Sequence, residues 1–136
     1  TEVKATIQAA KIGWKRRILA VFQPHLYSRT RDFYKDFASA LMLADYVILT
    51  DIYPAREKPI PNISSELIYD EIQKLKKNCC ALVLDLDNLS KEIFKIAKSG
   101  DMILTMGAGS IWRYCESFYN DLLEKKCEEY WEILMN

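Results

Sequence analysis

Four short runs in this chain, 18–22, 46–49, 81–84 and 102–106, are apolar at almost every position, and between them lie segments whose apolar residues recur at helical spacing. A strand that is apolar on alternate residues has one wet face. One that is apolar throughout is covered on both, which is the pattern of a parallel sheet with crossover helices. Parallel neighbours need such a crossover because a tight turn cannot join them. The strand-helix alternation has a rhythm of roughly 30 residues, the size of a repeated βαβ unit. The expected class is therefore α/β, a doubly wound, mostly parallel sheet with helices on both faces, and residues 1–136 make one domain.

The helices follow from spacing and end signals. Val3, Ile7, Ala10, Ile12 and Trp14 give a first helix, closed by Gly13 and the basic Lys15, Arg16 and Arg17. Ser28 or Thr30 is expected to cap a second, with Phe33, Phe37, Ala40, Leu41 and Ala44 as its core stripe. Ser64-Ser65-Glu66 opens a third, carrying Leu67, Ile68, Ile72 and Leu75. Leu89, Ile93, Ile96 and Ala97 mark a fourth that stops at Ser99-Gly100. The last is long, with Trp112, Cys115, Tyr119 and Leu122 on one side and Trp131 and Leu134 near its charged end. Thr1 is not a methionine and helical patterning starts at once, so the chain is expected to be cut from a longer one.

Charge and cysteine content narrow the function classes. Nineteen basic and nineteen acidic residues cancel, against the one-signed surface that nucleic acid requires, so no nucleic-acid partner is expected. No apolar run approaches the ~20 residues that span a bilayer, which argues against a membrane and for the cytoplasm. Cys79 and Cys80 adjoin an apolar run, Cys115 and Cys127 stand alone, and His25 is the single histidine. No zinc spacing results; the paired cysteines read as small buried hydrophobes, and no metal site is expected.

Ligands of open parallel sheets sit beyond the carboxyl ends of the strands, so the loops there are the places to search. After the first strand, Gln23-Pro24-His25-Leu26-Tyr27-Ser28-Arg29-Thr30-Arg31 sets a histidine, a tyrosine and two arginines ahead of a helix N-terminus. Free N–H groups there favour an anion, and an arginine fork suits carboxylate or phosphate. After the second strand, Asp51-Ile52-Tyr53-Pro54-Ala55-Arg56-Glu57-Lys58 is an irregular charged loop, which reads equally as solvated surface. Gly107-Ala108-Gly109-Ser110 resembles a phosphate-cradling turn, but no lysine follows and the G-x-G-x-x-G spacing fails at Trp112. Tight strand-to-helix geometry explains the same glycines.

Taken together, three segments resemble motifs of the Mur ligase family. Phe22 to Thr30 is similar to F-Q-P-H-x-Y/F-S/T-R-T, Asp51 to Glu57 to D/E-x-Y-x-A-x-E, and Met106 to Gly109 to M/Q-G-A-G, in the family's order. Thr1-Glu2-Val3 is similar to the residues after its histidine-rich hinge. Pro24-His25 favours the members that join L-alanine to UDP-N-acetylmuramate over the peptide-attaching relative. Leu26 departs from the pattern, since many members have arginine there.

The resemblance implies a Rossmann-like C-terminal domain of an ATP-dependent, amide-forming ligase of peptidoglycan synthesis, with the UDP-sugar and central ATPase domains absent from this chain. ATP and Mg2+ would serve the full-length enzyme through an acyl phosphate, and none would be bound by this domain alone. UDP-N-acetylmuramate, L-alanine and ATP would be partners of the whole enzyme, in which the domain closes on its own central domain. His25, Arg29 and Tyr27 would lie on the L-alanine side, with Arg29 holding the carboxylate. Arg31, Asp51, Arg56, Glu57, Gly107 and Gly109 would sit on loops facing ligand, and no catalytic residue is expected here. Two other readings stay open: a freestanding nucleotide-binding or regulatory α/β module using the Gly107 turn, and an interaction domain docking through Trp112, Tyr114, Phe118, Tyr119, Tyr130 and Trp131.

Overall fold

A computed structural model describes the backbone of residues 2–135 and the side chains of residues 2–125. Helix α1 (Glu2–Gly13) leads into β1 (Ile18–Phe22), then α2 (Tyr27–Leu41), β2 (Tyr46–Thr50), α3 (Glu66–Leu75) and β3 (Cys80–Val83). A 3-10 turn (Leu86–Asn88), α4 (Leu89–Ile96), β4 (Met102–Met106) and α5 (Ile111–Met135) complete the chain. The strands form one parallel sheet in the order β3-β2-β1-β4, in which Val21 lies between Ile48 and Thr105. β1 and β2 occupy the centre, and their apolar sequences follow from burial on both sides.

Alternation along β1 divides the core in two. Ile18, Ala20 and Phe22 face Ile7 and Ala10 of α1, Ala38 and Leu41 of α2, and Ile68 and Ile72 of α3. Leu19, Val21 and Ile48 face the opposite way, onto Leu89 and Ile93 of α4 and Ile111 and Phe118 of α5. Helices thus cover both faces, as the strand pattern requires. Cys79 and Cys80 are buried and free; burial, and next the neighbouring Cys79, push the Cys80 thiol up to about 12, so it stays protonated.

Several helical faces differ from those read by spacing. Ile12 and Trp14 are exposed past the last buried turn of α1, before the chain enters the sheet at Ile18. On α2 the buried set is Thr30, Ala38, Ala40 and Leu41, while Phe33 is half exposed. Leu75 and Leu84 project outward at element ends, and β3 is shifted to Cys80–Val83. On α5 the inward face is Ile111 and Phe118, with Tyr114 partly buried; Trp112 and Tyr119 are exposed. Tyr130, Trp131, Leu134 and Cys127 lie outside the described side chains.

The loop between β2 and α3 returns through a buried hydroxyl. Ser65 donates its side-chain hydrogen bond to the carbonyl of Thr50, and both residues are fully buried. Ser65→Ala leaves that carbonyl without its partner and is expected to lower stability by about 1–3 kcal/mol. A reduced urea midpoint at unchanged slope is the corresponding measurement.

Candidate functional site

The order β3-β2-β1-β4 reverses direction at β1: the chain moves outward through β2 and β3, then crosses back to β4. Loops leaving β1 and β4 therefore part on opposite sides and leave a crevice at their carboxyl ends, the usual ligand position in this architecture. A cleft of about 490 Å³ lies there. Phe22, Gln23, His25 and Arg29 line it from the β1 side, Thr105 to Ala108 from the β4 side, and Glu2, Val3 and Thr6 from the start of α1.

Backbone bonds hold the β1 loop in place. Gln23 N–H donates to Met106 O at 2.9 Å, carrying the β1–β4 pairing past the strand ends. Tyr53 N–H donates to Pro24 O at 2.8 Å and Leu26 N–H to Tyr53 O at 3.0 Å, a parallel bridge that joins the β2 loop to the β1 loop. The His25 and Tyr53 rings stack at 6.1 Å. Leu26 then adopts φ 69, a left-handed conformation that is costly for a side chain with a Cβ. Its carbonyl accepts both the N–H and the hydroxyl of Thr30, at 3.1 and 2.9 Å.

Neither Ser28 nor Thr30 caps α2 in the expected way. Leu26 is the residue before the helix and supplies no side-chain cap. Instead the Glu57 carboxylate accepts the Ser28 N–H at 2.9 Å and the Ser28 hydroxyl at 2.6 Å. The Ser28 hydroxyl, with backbone N–H groups of Ser28 and Tyr27 and the charge of Arg31 as smaller causes, holds the Glu57 carboxyl below its ordinary value against its own desolvation. A depressed carboxylate pKa means that the stabilisation from this contact is present above the ordinary value and is lost as pH falls through the lowered one.

On the β4 side, glycine is required sterically. Gly107 has φ 152, and a Cβ there would stand 2.9 Å from both the Cβ and the carbonyl oxygen of Gln23. A Cβ on Gly109 would enter the Tyr53 ring. Gln23, almost fully buried, donates from Nε2 to Ser110 Oγ at 3.3 Å and accepts the Ile111 N–H on Oε1 at 3.1 Å. It therefore serves the first turn of α5 with a side chain from β1, and one of the N–H groups expected to cradle phosphate is already occupied.

The Mur ligase family model, described as the glutamate ligase domain, matches residues 1–109. That stretch contains every loop of the cleft. The chain belongs to the Mur ligase family. It is 42% identical over 122 residues to a UDP-N-acetylmuramate--L-alanine ligase of Geotalea uraniireducens, covering 90% of this chain and 27% of that protein. It is 47% identical over 128 residues to the protein of the same name from Phocaeicola vulgatus, covering 93% and 26%. The chain thus spans about a quarter of the length of the curated relatives it matches. A murein peptide ligase of Psychrobacter arcticus has the same fold, with a TM-score of 0.65 at 20% identity over 87% of this chain and 24% of that one.

Within this Mur ligase domain the residues singled out by sequence separate into two groups. His25, Arg29 and Gly107 line the cleft, and Arg29 is exposed with no ion pair among the described residues. Tyr27, Arg31, Asp51, Arg56, Glu57 and Gly109 are not among its lining residues. Arg31 pairs with Asp32 at 2.8 Å at the exposed surface. That contact raises the guanidinium pKa and lowers that of the carboxyl. Asp51 accepts the Ile52 N–H at 2.9 Å, and Arg56 is exposed. Gln23 and Tyr53 are organising residues to which no role had been assigned. Each stood inside a quoted motif, but the burial of a polar glutamine and the seating of a ring on glycine depend on tertiary placement. No group of acidic, cysteine and histidine side chains suited to a metal occurs among the described residues. Nor is any described helix long and apolar enough to cross a membrane.

Proposed function

We propose that this chain is the amino-acid-binding and closing domain of a cytoplasmic, ATP-dependent ligase that joins L-alanine to UDP-N-acetylmuramate. The observation that carries it is the convergence of His25, Arg29 and Gly107 on one cleft at the reversal point of the sheet. The names of the similar ligases supply the substrates. In the parent protein the sugar carboxylate would take the γ-phosphoryl group of ATP, releasing ADP and giving an acyl phosphate, and the alanine amine would then displace inorganic phosphate to form the amide; Mg2+ would offset the phosphate charge. UDP-sugar and central ATPase domains precede this one. The part played by the present residues is placement: Arg29 offers a forked cation to the amino-acid carboxylate, and His25 stands on the same wall.

A freestanding nucleotide-binding module is less well supported, because Gln23 takes an N–H of the glycine turn's helix. The deciding experiment follows phosphate release by the full-length parent with ATP and UDP-N-acetylmuramate as L-alanine, glycine and L-serine are added in turn. Turnover that depends on an amino acid and is fastest with L-alanine is expected; release independent of any amino acid would overturn the reading.

A further inference from the structure

We propose that Glu57 is a positioning residue for the amino-acid side of the cleft: by clamping Ser28 it fixes the left-handed turn at Leu26 and so sets where His25 and Arg29 stand. Glu57 can act so only if Arg29 receives the amino-acid carboxylate, as proposed above. The two ligand-facing residues flank Leu26 and Ser28 in the chain, so any rotation at Leu26 moves them relative to each other. A non-glycine residue at φ 69 persists only where its surroundings over-determine it. Here the ties are the bridge to Tyr53, the two bonds from Thr30 and the Glu57 clamp at 2.9 and 2.6 Å. Only the clamp comes from a charged side chain, and it grips the residue next to Arg29.

The clamp also decides where an incoming carboxylate is received. An uncapped helix N-terminus is an anion site in its own right. At α2 that position is filled by the protein's own carboxylate, whose charge repels a second anion. Arg29, one residue further on and without an ion pair among the described residues, is left as the cation that faces the cleft. Glu57 itself does not line the cleft and is not expected to touch the substrate.

The test uses the full-length parent, with initial rates of phosphate release against L-alanine and, separately, against ATP. Glu57→Ala is expected to raise half-saturating L-alanine about tenfold, leaving half-saturating ATP and the maximal rate within about twofold. Glu57→Gln keeps an oxygen for the Ser28 N–H and is expected to recover most of that loss. Faster hydrogen exchange confined to residues 26–30 in Glu57→Ala should accompany the change. If Glu57→Ala does not fold, Ser28→Ala carries the test, since it removes the 2.6 Å contact alone and should raise half-saturating L-alanine severalfold. Unchanged L-alanine dependence in the folded variants overturns the role of Glu57 and leaves the functional reading intact. A parent without amino-acid dependence overturns both.

Discussion

Arg29→Ala in the full-length parent is expected to raise half-saturating L-alanine roughly 100-fold while ATP use changes little. The guanidinium stands on the first turn of α2 at the cleft wall, in no ion pair among the described residues. A charge-assisted hydrogen bond contributes about 1.5–3 kcal/mol, and ~1.4 kcal/mol corresponds to a tenfold change in binding, so loss of a two-pronged contact reaches this range. Arg29→Lys keeps the charge but not the fork and should fall between the two. Initial-rate measurements against each substrate check the expectation. A variant in which only the ATP requirement rose would remove Arg29 from the amino-acid side altogether.

The contrast between Arg29 and its neighbours shows where sequence reading succeeds and where it stops. The strands were legible because β1 and β2 must be apolar on both faces, and no other common architecture asks for that. Helix existence was legible from spacing, but helix facing was less so: Phe33 and Trp112 fit an apolar stripe, yet they are exposed although Thr30 and Ile111, earlier on the same helices, are buried. At the site, strand order mattered most. The sheet order joins the β1 and β4 loops in one cleft and sets the charges of the β2 loop outside it. Sequence alone favours the β1 loop but does not separate the β2 loop from the glycine turn. Glu57 illustrates the limit, since its partner Ser28 lies 29 positions away and a local motif cannot reveal that pairing.

Stability should discriminate among the four glycines in a way that composition does not. Gly13 ends α1 with open space around it, so Gly13→Ala is expected to be neutral or to stabilise by about 0.5–1 kcal/mol through the unfolded chain. Gly100 also has open space but sits at φ 89, so Gly100→Ala meets backbone strain alone, about 1–2 kcal/mol. Gly109→Ala meets the Tyr53 ring, whose backbone is pinned by two hydrogen bonds, and overpacking of this kind costs about 1–3 kcal/mol. Gly107→Ala combines both effects: φ 152 and a Cβ 2.9 Å from the Gln23 carbonyl oxygen, a backbone atom of a residue whose N–H is tied to Met106 O at 2.9 Å. A loss of about 3 kcal/mol or more is expected, with a fall in Tm on the order of 10 °C. Adding Tyr53→Ala should recover part of the Gly109→Ala loss and none of the Gly107→Ala loss, because the obstructing atoms differ. Thermal unfolding of the single and double variants measures this directly. If Gly107→Ala were no worse than Gly100→Ala, the close approach of the β4 turn to Gln23 would contribute nothing to the shape of the cleft.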